Sequence, residues 1–239
     1  MNKFRLDHEL VRRKLVESRS QAENFIKLGQ VTVDGQQITK PGYFVKENSI
    51  VKITTDERYV SRAALKLASV AEQFKLDFKN KVILDVGSST GGFTDFALQH
   101  GAEKAIDVEV GSDQLHPTLR GDKRIELHEQ TDIRSINELS STADIVVIDV
   151  SFISLREILP HVASLINKKA LVVAMVKPQF EAPDEVKHKG VIKNERIRRD
   201  ILKGFELWVR GYFATVDKAD SKVSGNKGNV ERFYLLKKV

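Results

Sequence analysis

Lys81 to Asp95 reads KVILDVGSSTGGFTD. Its apolar run, Val82-Ile83-Leu84, closes on Asp85, and the chain then breaks at Gly87, Gly91 and Gly92 before a helical pattern resumes. A short apolar run ending in such a break is how a buried parallel strand hands the chain to a turn, and the turn to a helix N-terminus whose free amides can face a ligand. Downstream, the helix starting at Phe93 runs to Gly101, and Lys104 to Val110 forms a second strand with Asp107 and Glu109 near its end. Ile145 to Ile148, Leu171 to Val176 and Arg232 to Leu236 are further strand candidates. Alternating strands and helices predict an α/β fold.

Upstream, residues 4–53 read as a separate small α+β unit. Leu6, Leu10, Val11 and Leu15 have helical spacing, and Ser18 caps a second short helix through Ala22, Phe25 and Ile26 that ends at Gly29. Val31 and Val33 then alternate into Asp34-Gly35, a hairpin signal, and Ile50, Val51 and Ile53 supply a later strand. Residues 54–60 are polar and aperiodic, as expected of a linker, leaving 61–239 as the second domain. In SRAALKLASVAEQF, from Ser61, Ala64, Leu67, Ala68 and Ala71 share one helix face while Arg62 and Lys66 share another.

The chain has 239 residues and no cysteine, which excludes disulfides and thiolate zinc sites. Its six histidines lack metal-ligand spacing, so no metal is expected. The N-terminus shows no apolar signal core, and no run approaches the roughly 20 apolar residues of a membrane span, so a cytoplasmic protein without a membrane partner is expected. Charge is uneven: 11 Lys+Arg against 8 Asp+Glu in residues 1–60, 14 against 16 in 61–180, and 14 against 9 in 181–239. Two basic ends around a near-neutral middle suit a polyanion such as RNA gripped at the ends, although ordinary solvated surface gives the same totals. The charged segment 181–200 reads as a loop able to close over RNA, or as a plain surface turn, followed by a helix to about Arg210.

A glycine turn after a first strand, with a carboxylate ending the second, is the arrangement that holds an adenosine ligand: amides approach closely where no Cβ intervenes, and the carboxylate accepts the ribose hydroxyls. Dinucleotide sites favour G-x-G-x-x-G; the G-x-x-x-G-G spacing here resembles the S-adenosylmethionine turn of class I methyltransferases. In the N-terminal unit, RLD at 5–7, Ser18-Arg19, Ala22, Ile26 and the G-x-V-x-V-D-G of Gly29 to Gly35 resemble an S4-type RNA-binding domain. That resemblance makes Arg5, Arg12, Arg13, Lys14, Arg19 and Lys27 candidate phosphate contacts, with Arg62 beside them. DVGSSTGGFTD, Val110-Gly111 with Gln114-Leu115, IDVSFISL (Ile148 to Leu155), VKPQFE (Val176 to Glu181), the KGV at 189–191 and SGNKGNVE (Ser224 to Glu231) together resemble the hemolysin A (TlyA) family, FtsJ-like ribose methyltransferases with an S4-type domain.

The resemblance implies a Rossmann-like, seven-stranded methyltransferase sheet and S-adenosyl-L-methionine as cofactor. Asp85, Gly87, Ser88, Ser89, Thr90, Gly91, Gly92, Phe93 and Thr94 would hold its methionine part, Glu109 and Val110 its ribose, and Asp132 and Ile133 its adenine. It also implies a catalytic tetrad, Lys66, Asp149, Lys177 and Glu231, and methylation of a cytidine 2'-hydroxyl in ribosomal RNA (16S, 23S or both), with ribosomal RNA or subunits as partner. Three departures stand out: Ala63-Ala64 replaces a double glycine, a proline before Gly225 is absent, and the chain stops soon after its last strand, which bears on target choice. Two other readings are an RNA-binding ribosome-assembly protein without activity, and a membrane-active haemolysin.

Overall fold

The computed structural model describes residues 3–16, 19–27, 31–53, 59–183, 192, 194–223 and 229–239, except the side chains of residues 20, 21, 24 and 27. Ser18, Gly29, residues 54–58 of the expected linker, the side chain of Lys27 and most of the charged stretch 184–193 lie outside that description. The chain divides into two compact units, Met1–Arg58 and Tyr59–Val239.

In the first unit, β1 (Lys3–Arg5), α1 (Leu6–Arg12) and α2 (Arg19–Lys27) precede β2 (Val31–Val33), β3 (Gln36–Gln37), β4 (Phe44–Lys46) and β5 (Val51–Ile53). The i, i+4 pairs Leu6/Leu10 and Ala22/Ile26 are fully buried with Val31, Val33 and Val45, so two helical stripes and the inner faces of the strands make one core. Asp34 and Gly35 both take positive φ (51° and 84°), as a two-residue type I′ turn requires between β2 and β3. The pairing of β1 with β4, through Phe4 and Val45, was not foreseeable, because three residues are too few for an alternation to register.

The second unit runs α3 (Arg62–Ala71), β6 (Val82–Val86), α4 (Gly92–Gln99), β7 (Lys104–Val108), β8 (Ile125–His128), a 3₁₀ turn (Ile133–Ser135), β9 (Ile145–Ile148), α5 (Leu155–Leu165), β10 (Leu171–Val176), α6 (Pro178–Glu181), α7 (Glu195–Val209), β11 (Phe213–Asp220) and β12 (Arg232–Lys238). They form a seven-stranded sheet in the order β11-β12-β10-β9-β6-β7-β8. β8, β7, β6, β9 and β10 are parallel, while β12 and β11 add on antiparallel.

Both faces are covered, so successive strand residues alternate between two apolar layers. Leu84, Val146 and Val172 pack with α5 and α7; Ile83, Val147 and Val173 pack with α3 and α4. This is why the strands read as unbroken apolar runs. From β6 the chain winds outward through β7 and β8, then returns to β9 on the other side of β6. The strand order therefore reverses between β6 and β9, and a crevice opens at their carboxyl ends, where Gly87 and Asp149 follow.

Candidate active site

The turn after β6 is built around the absence of a side chain. Gly87 has φ +81°, its N–H donates to the Val108 carbonyl at 2.8 Å, and a Cβ there would stand 2.8 Å from the Asp149 carbonyl oxygen. Glycine lets the ends of β6 and β9 close on one another. Gly92 opens α4 in similar contact: a Cβ would strike the Ser61 hydroxyl and lie 2.9 Å from the Ala63 Cβ. The start of α3, which carries Lys66, is docked there.

Asp85 and Glu109 brace this turn from below and beside. Asp85 Oδ2 accepts from the Thr94 N–H at 3.1 Å and the Thr94 hydroxyl at 2.9 Å, tying β6 to the first turn of α4. Glu109 accepts from the N–H of Ser89 at 2.9 Å and of Gly111 at 2.7 Å. Both Glu109 oxygens therefore hold backbone; each keeps lone pairs for a further donor.

Four charged side chains stand at the same sheet edge as two ion pairs. Lys177 follows β10, is buried, and places Nζ 2.5 Å from Asp149 Oδ1 while donating to the Ser151 hydroxyl at 2.7 Å. Glu231 precedes β12, whose Arg232 pairs with Val176, so the ladder sets Glu231 opposite Lys177. Lys66 Nζ lies 2.5 Å from Glu231 Oε2. Burying ions costs several kcal/mol each, to order of magnitude, and apolar replacements are often neutral or stabilising, so these pairs point to chemistry rather than stability. Arg62 faces the same carboxylate; burial pulls its guanidinium down from the ordinary value and Glu231 opposes the shift.

A cavity of about 150 Å³ joins the turn to the Lys177–Asp149 pair, lined by Ala63, Asp85, Gly87, Ser88, Ser89, Thr90, Phe93, Asp149, Ser151 and Lys177; Glu109, Lys66 and Glu231 stand outside that lining. Gly91, Gly92 and Thr94 support this lining from α4. Val110 is 70% exposed, outside the lining. Asp132 is engaged with Arg134, accepting from its N–H at 2.9 Å and pairing with its guanidinium at 2.7 Å, and Ile133 is core. Inside the cavity wall, Asp85 Oδ1 and Ser88 Oγ are buried without a hydrogen-bond partner. A ligand carrying an ammonium group and a further polar group supplies what those two atoms lack, so the lining fits the amino-acid end of S-adenosylmethionine. Among the described residues no group of three His, Asp or Glu could hold a metal ion.

Two residues escaped the sequence reading, Ser151 and Phe152. Phe152 has φ +66°, a genuine outlier for a bulky side chain, yet it is 92% exposed, with its ring 5.2 Å from that of Phe180. Strain of this kind persists where the surroundings enforce it, and it clusters at ligand clamps. An aromatic three residues past the aspartate that follows β9, in SFISL, was the available signal.

In the N-terminal unit the candidate arginines surround two buried carboxylates. Arg5 and Arg19 each lie 2.9 Å from Asp7, and Arg12 (2.7 Å) and Arg13 (2.6 Å) flank Glu9. Burial alone would raise Asp7, but the Arg5 and Arg19 hydrogen bonds win and hold it down to about 2. Arg12, against burial and with help from Arg13, does the same for Glu9. Arg5, Arg12 and Arg19 remain about half exposed, and a guanidinium has five donors, so each keeps some for another anion. Lys14 is exposed, at φ +56°.

The family model for FtsJ-like methyltransferase matches residues 59–238, and that for the S4 domain matches residues 4–51. Hemolysin A of Brachyspira hyodysenteriae is 36% identical over 95% of this chain and 97% of its own. A Mycobacterium tuberculosis protein named 16S/23S rRNA (cytidine-2'-O)-methyltransferase TlyA is 37% identical over 98% of this chain and 89% of its own. A solved Streptococcus thermophilus protein described as a candidate hemolysin superposes with a TM-score of 0.77 at 35% identity, covering 100% of this chain and 90% of that one. Among the described residues no helix is long and apolar enough to cross a membrane.

Proposed function

From the premise that the chain belongs to the FtsJ-like methyltransferases of the hemolysin A (TlyA) family and carries an S4 domain, we propose that it transfers a methyl group from S-adenosylmethionine to the 2'-hydroxyl of a cytidine in ribosomal RNA. The observation that carries this reading is Lys177 Nζ, held between Asp149 and Ser151 on the wall of the cavity that the Gly87 turn also lines.

S-adenosylmethionine supplies an electrophilic methyl group on a sulfonium. The residues that would hold it are Asp85 and Ser88, with their unsatisfied oxygens, and the backbone from Gly87 to Thr90. Lys177 faces the incoming 2'-oxygen and either takes its proton or stabilises the developing alkoxide; Asp149 and Ser151 fix the direction of Nζ. Lys66 and Glu231 form the neighbouring ion pair, with Glu231 opposite Lys177 in the ladder. Alignment of oxygen with methyl group supplies much of the remaining rate.

Phe152 extends the reading to the acceptor. Its exposed ring, one residue past Ser151 and paired with Phe180, is a platform for an unstacked base. Phe152→Ala is expected to lower kcat/KM for RNA by about 5- to 150-fold, the loss of one base–aromatic stack, while leaving the Kd for S-adenosylmethionine unchanged. Equal losses in both would refute the platform.

The whole proposal is tested by mass mapping of ribosomal RNA 2'-O-methylation in cells with and without the gene, and by transfer of labelled methyl to ribosomal subunits by purified protein. A cytidine methylated only when the protein is present is the expected result. An unchanged methylation map together with no transfer in vitro overturns it.

A further inference from the structure

A buried acid that the methyl transfer itself does not use lies directly behind the donor site. Asp107 is the register partner of Asp85 across the parallel β6–β7 ladder, so both carboxyls point to the same face of the sheet, and both are buried, at 0% and 1% exposure. Between them stands Thr94, its hydroxyl 2.9 Å from Asp85 Oδ2 and 2.6 Å from Asp107 Oδ1.

A threonine hydroxyl donates one hydrogen. Two carboxylate oxygens within bonding distance of it are both satisfied only if one carboxyl carries a proton and donates it to the hydroxyl oxygen. Asp85 Oδ2 already accepts the Thr94 backbone N–H at 3.1 Å, which marks it as the acceptor. Asp107 Oδ1 has only the hydroxyl, and Asp107 Oδ2 has no partner. The bridge therefore runs from protonated Asp107 through Thr94 to Asp85 Oδ2, leaving Asp85 Oδ1, the unpartnered atom in a residue of the cavity wall, to carry a second proton or to face a cation.

We propose that Asp107 is a positioning residue that keeps the one shared proton, so that Asp85 meets the ammonium group of the methyl donor as an anion and donor binding expels a proton. This rests on the reading, given above, that the donor occupies the Gly87 turn. In the free protein, burial and the neighbouring Asp107 hold the Asp85 carboxyl well above the usual range, and burial pushes Asp107 up to about 7. Two protons are then held near neutrality, and a cation at Asp85 Oδ1 leaves room for only one.

The other charges facing the pair do not substitute for it. Asp149, just past β9, raises Asp85 further and is itself paired with Lys177, just past β10. Glu109, past the end of β7, is spent on two backbone amides. On α4, Asp95 accepts from the Val60 N–H and from Gln99, and on β8 the register partner of Asp107 is the uncharged Leu127. Below the raised values the free site holds both protons and the occupied site one, so affinity falls as pH falls; above them the free site has already lost a proton and the dependence fades.

The test is calorimetry of S-adenosylhomocysteine binding, in buffers of differing ionisation enthalpy. This ligand keeps the ammonium group and lacks the sulfonium. At about pH 6.5 the wild type is expected to release close to one proton per ligand, with Kd weakening by up to about tenfold per pH unit, and to release less at about pH 8. Asp107→Asn keeps the shape and can still donate to Thr94, but it has no carboxylate to take up the Asp85 proton; its melting temperature checks the fold, and its proton release is expected to match the wild type at about pH 6.5 and to persist at about pH 8, where that of the wild type fades. Binding by the wild type without proton release, or a folded Asp107→Asn protein whose release fades at about pH 8 as that of the wild type does, overturns the inference alone. No binding by the wild type overturns the placement of the donor and the inference with it.

Discussion

Lys177→Ala is expected to fold, to bind S-adenosylmethionine with near wild-type affinity, and to transfer methyl about 10²- to 10⁴-fold more slowly, the range lost with a positioned proton acceptor or donor. The loss should fall on kcat if Nζ, as proposed, contacts the reacting oxygen rather than holding the donor. One complication is that removing Nζ strands Asp149, and breaking a buried pair can cost about 3–5 kcal/mol. Asp149 is 17% exposed, so water offsets part of that, and a melting curve reports the remainder. Lys177→Arg separates the two duties of the lysine: it preserves charge toward Asp149 but cannot give up a proton to become a base. A folded arginine variant with little activity would show that charge alone does not suffice. Wild-type transfer by a folded Lys177→Ala protein would remove Lys177 from the chemistry.

Gly87→Ala should be nearly as damaging, for a different reason. An L-residue at φ +81° is strained by an amount on the order of 1–3 kcal/mol. The added methyl also stands 2.8 Å from the Asp149 carbonyl oxygen, well inside contact distance. Relief requires the ends of β6 and β9 to part, which opens the donor turn and shifts Asp149 together with Lys177. The expected signature is a combined loss: donor Kd weakened by at least about tenfold and kcat reduced, since a misplacement of about 1 Å can cost on the order of 10². A Gly87→Ala protein with normal donor affinity would show that the turn tolerates the methyl.

Much of the architecture could be read from the chain because burial on both sides makes strands conspicuous. Ile145 to Ile148 and Leu171 to Val176 have the bounds that the apolar runs predicted, and the positive-φ pair Asp34-Gly35 sits where the sequence placed a turn. β1 and β4 escaped notice because three-residue strands carry no detectable period. β7 ends at Val108, two residues before the expected Val110, since Glu109 leaves the ladder to grip the amides of Ser89 and Gly111. The charged residues of the site could be named by resemblance, but their division into Lys177 with Asp149 and Lys66 with Glu231 could not: a pairing is a fact of strand order and register. Nor does a sequence disclose a backbone strained at Phe152 or one hydroxyl shared by two acids.

The pairing of each active-site lysine with its own carboxylate has a consequence at longer range. Two adjacent lysines left bare would form a cationic hole that pulled indiscriminately on phosphate and repelled a sulfonium; matched one to one, they present almost no net field beyond contact distance. Attraction for a polyanion must then come from elsewhere, such as the half-exposed arginines of the N-terminal unit. Ionic strength thus acts mainly on encounter with RNA, through counterion release, and less on the buried lysines, which are already paired.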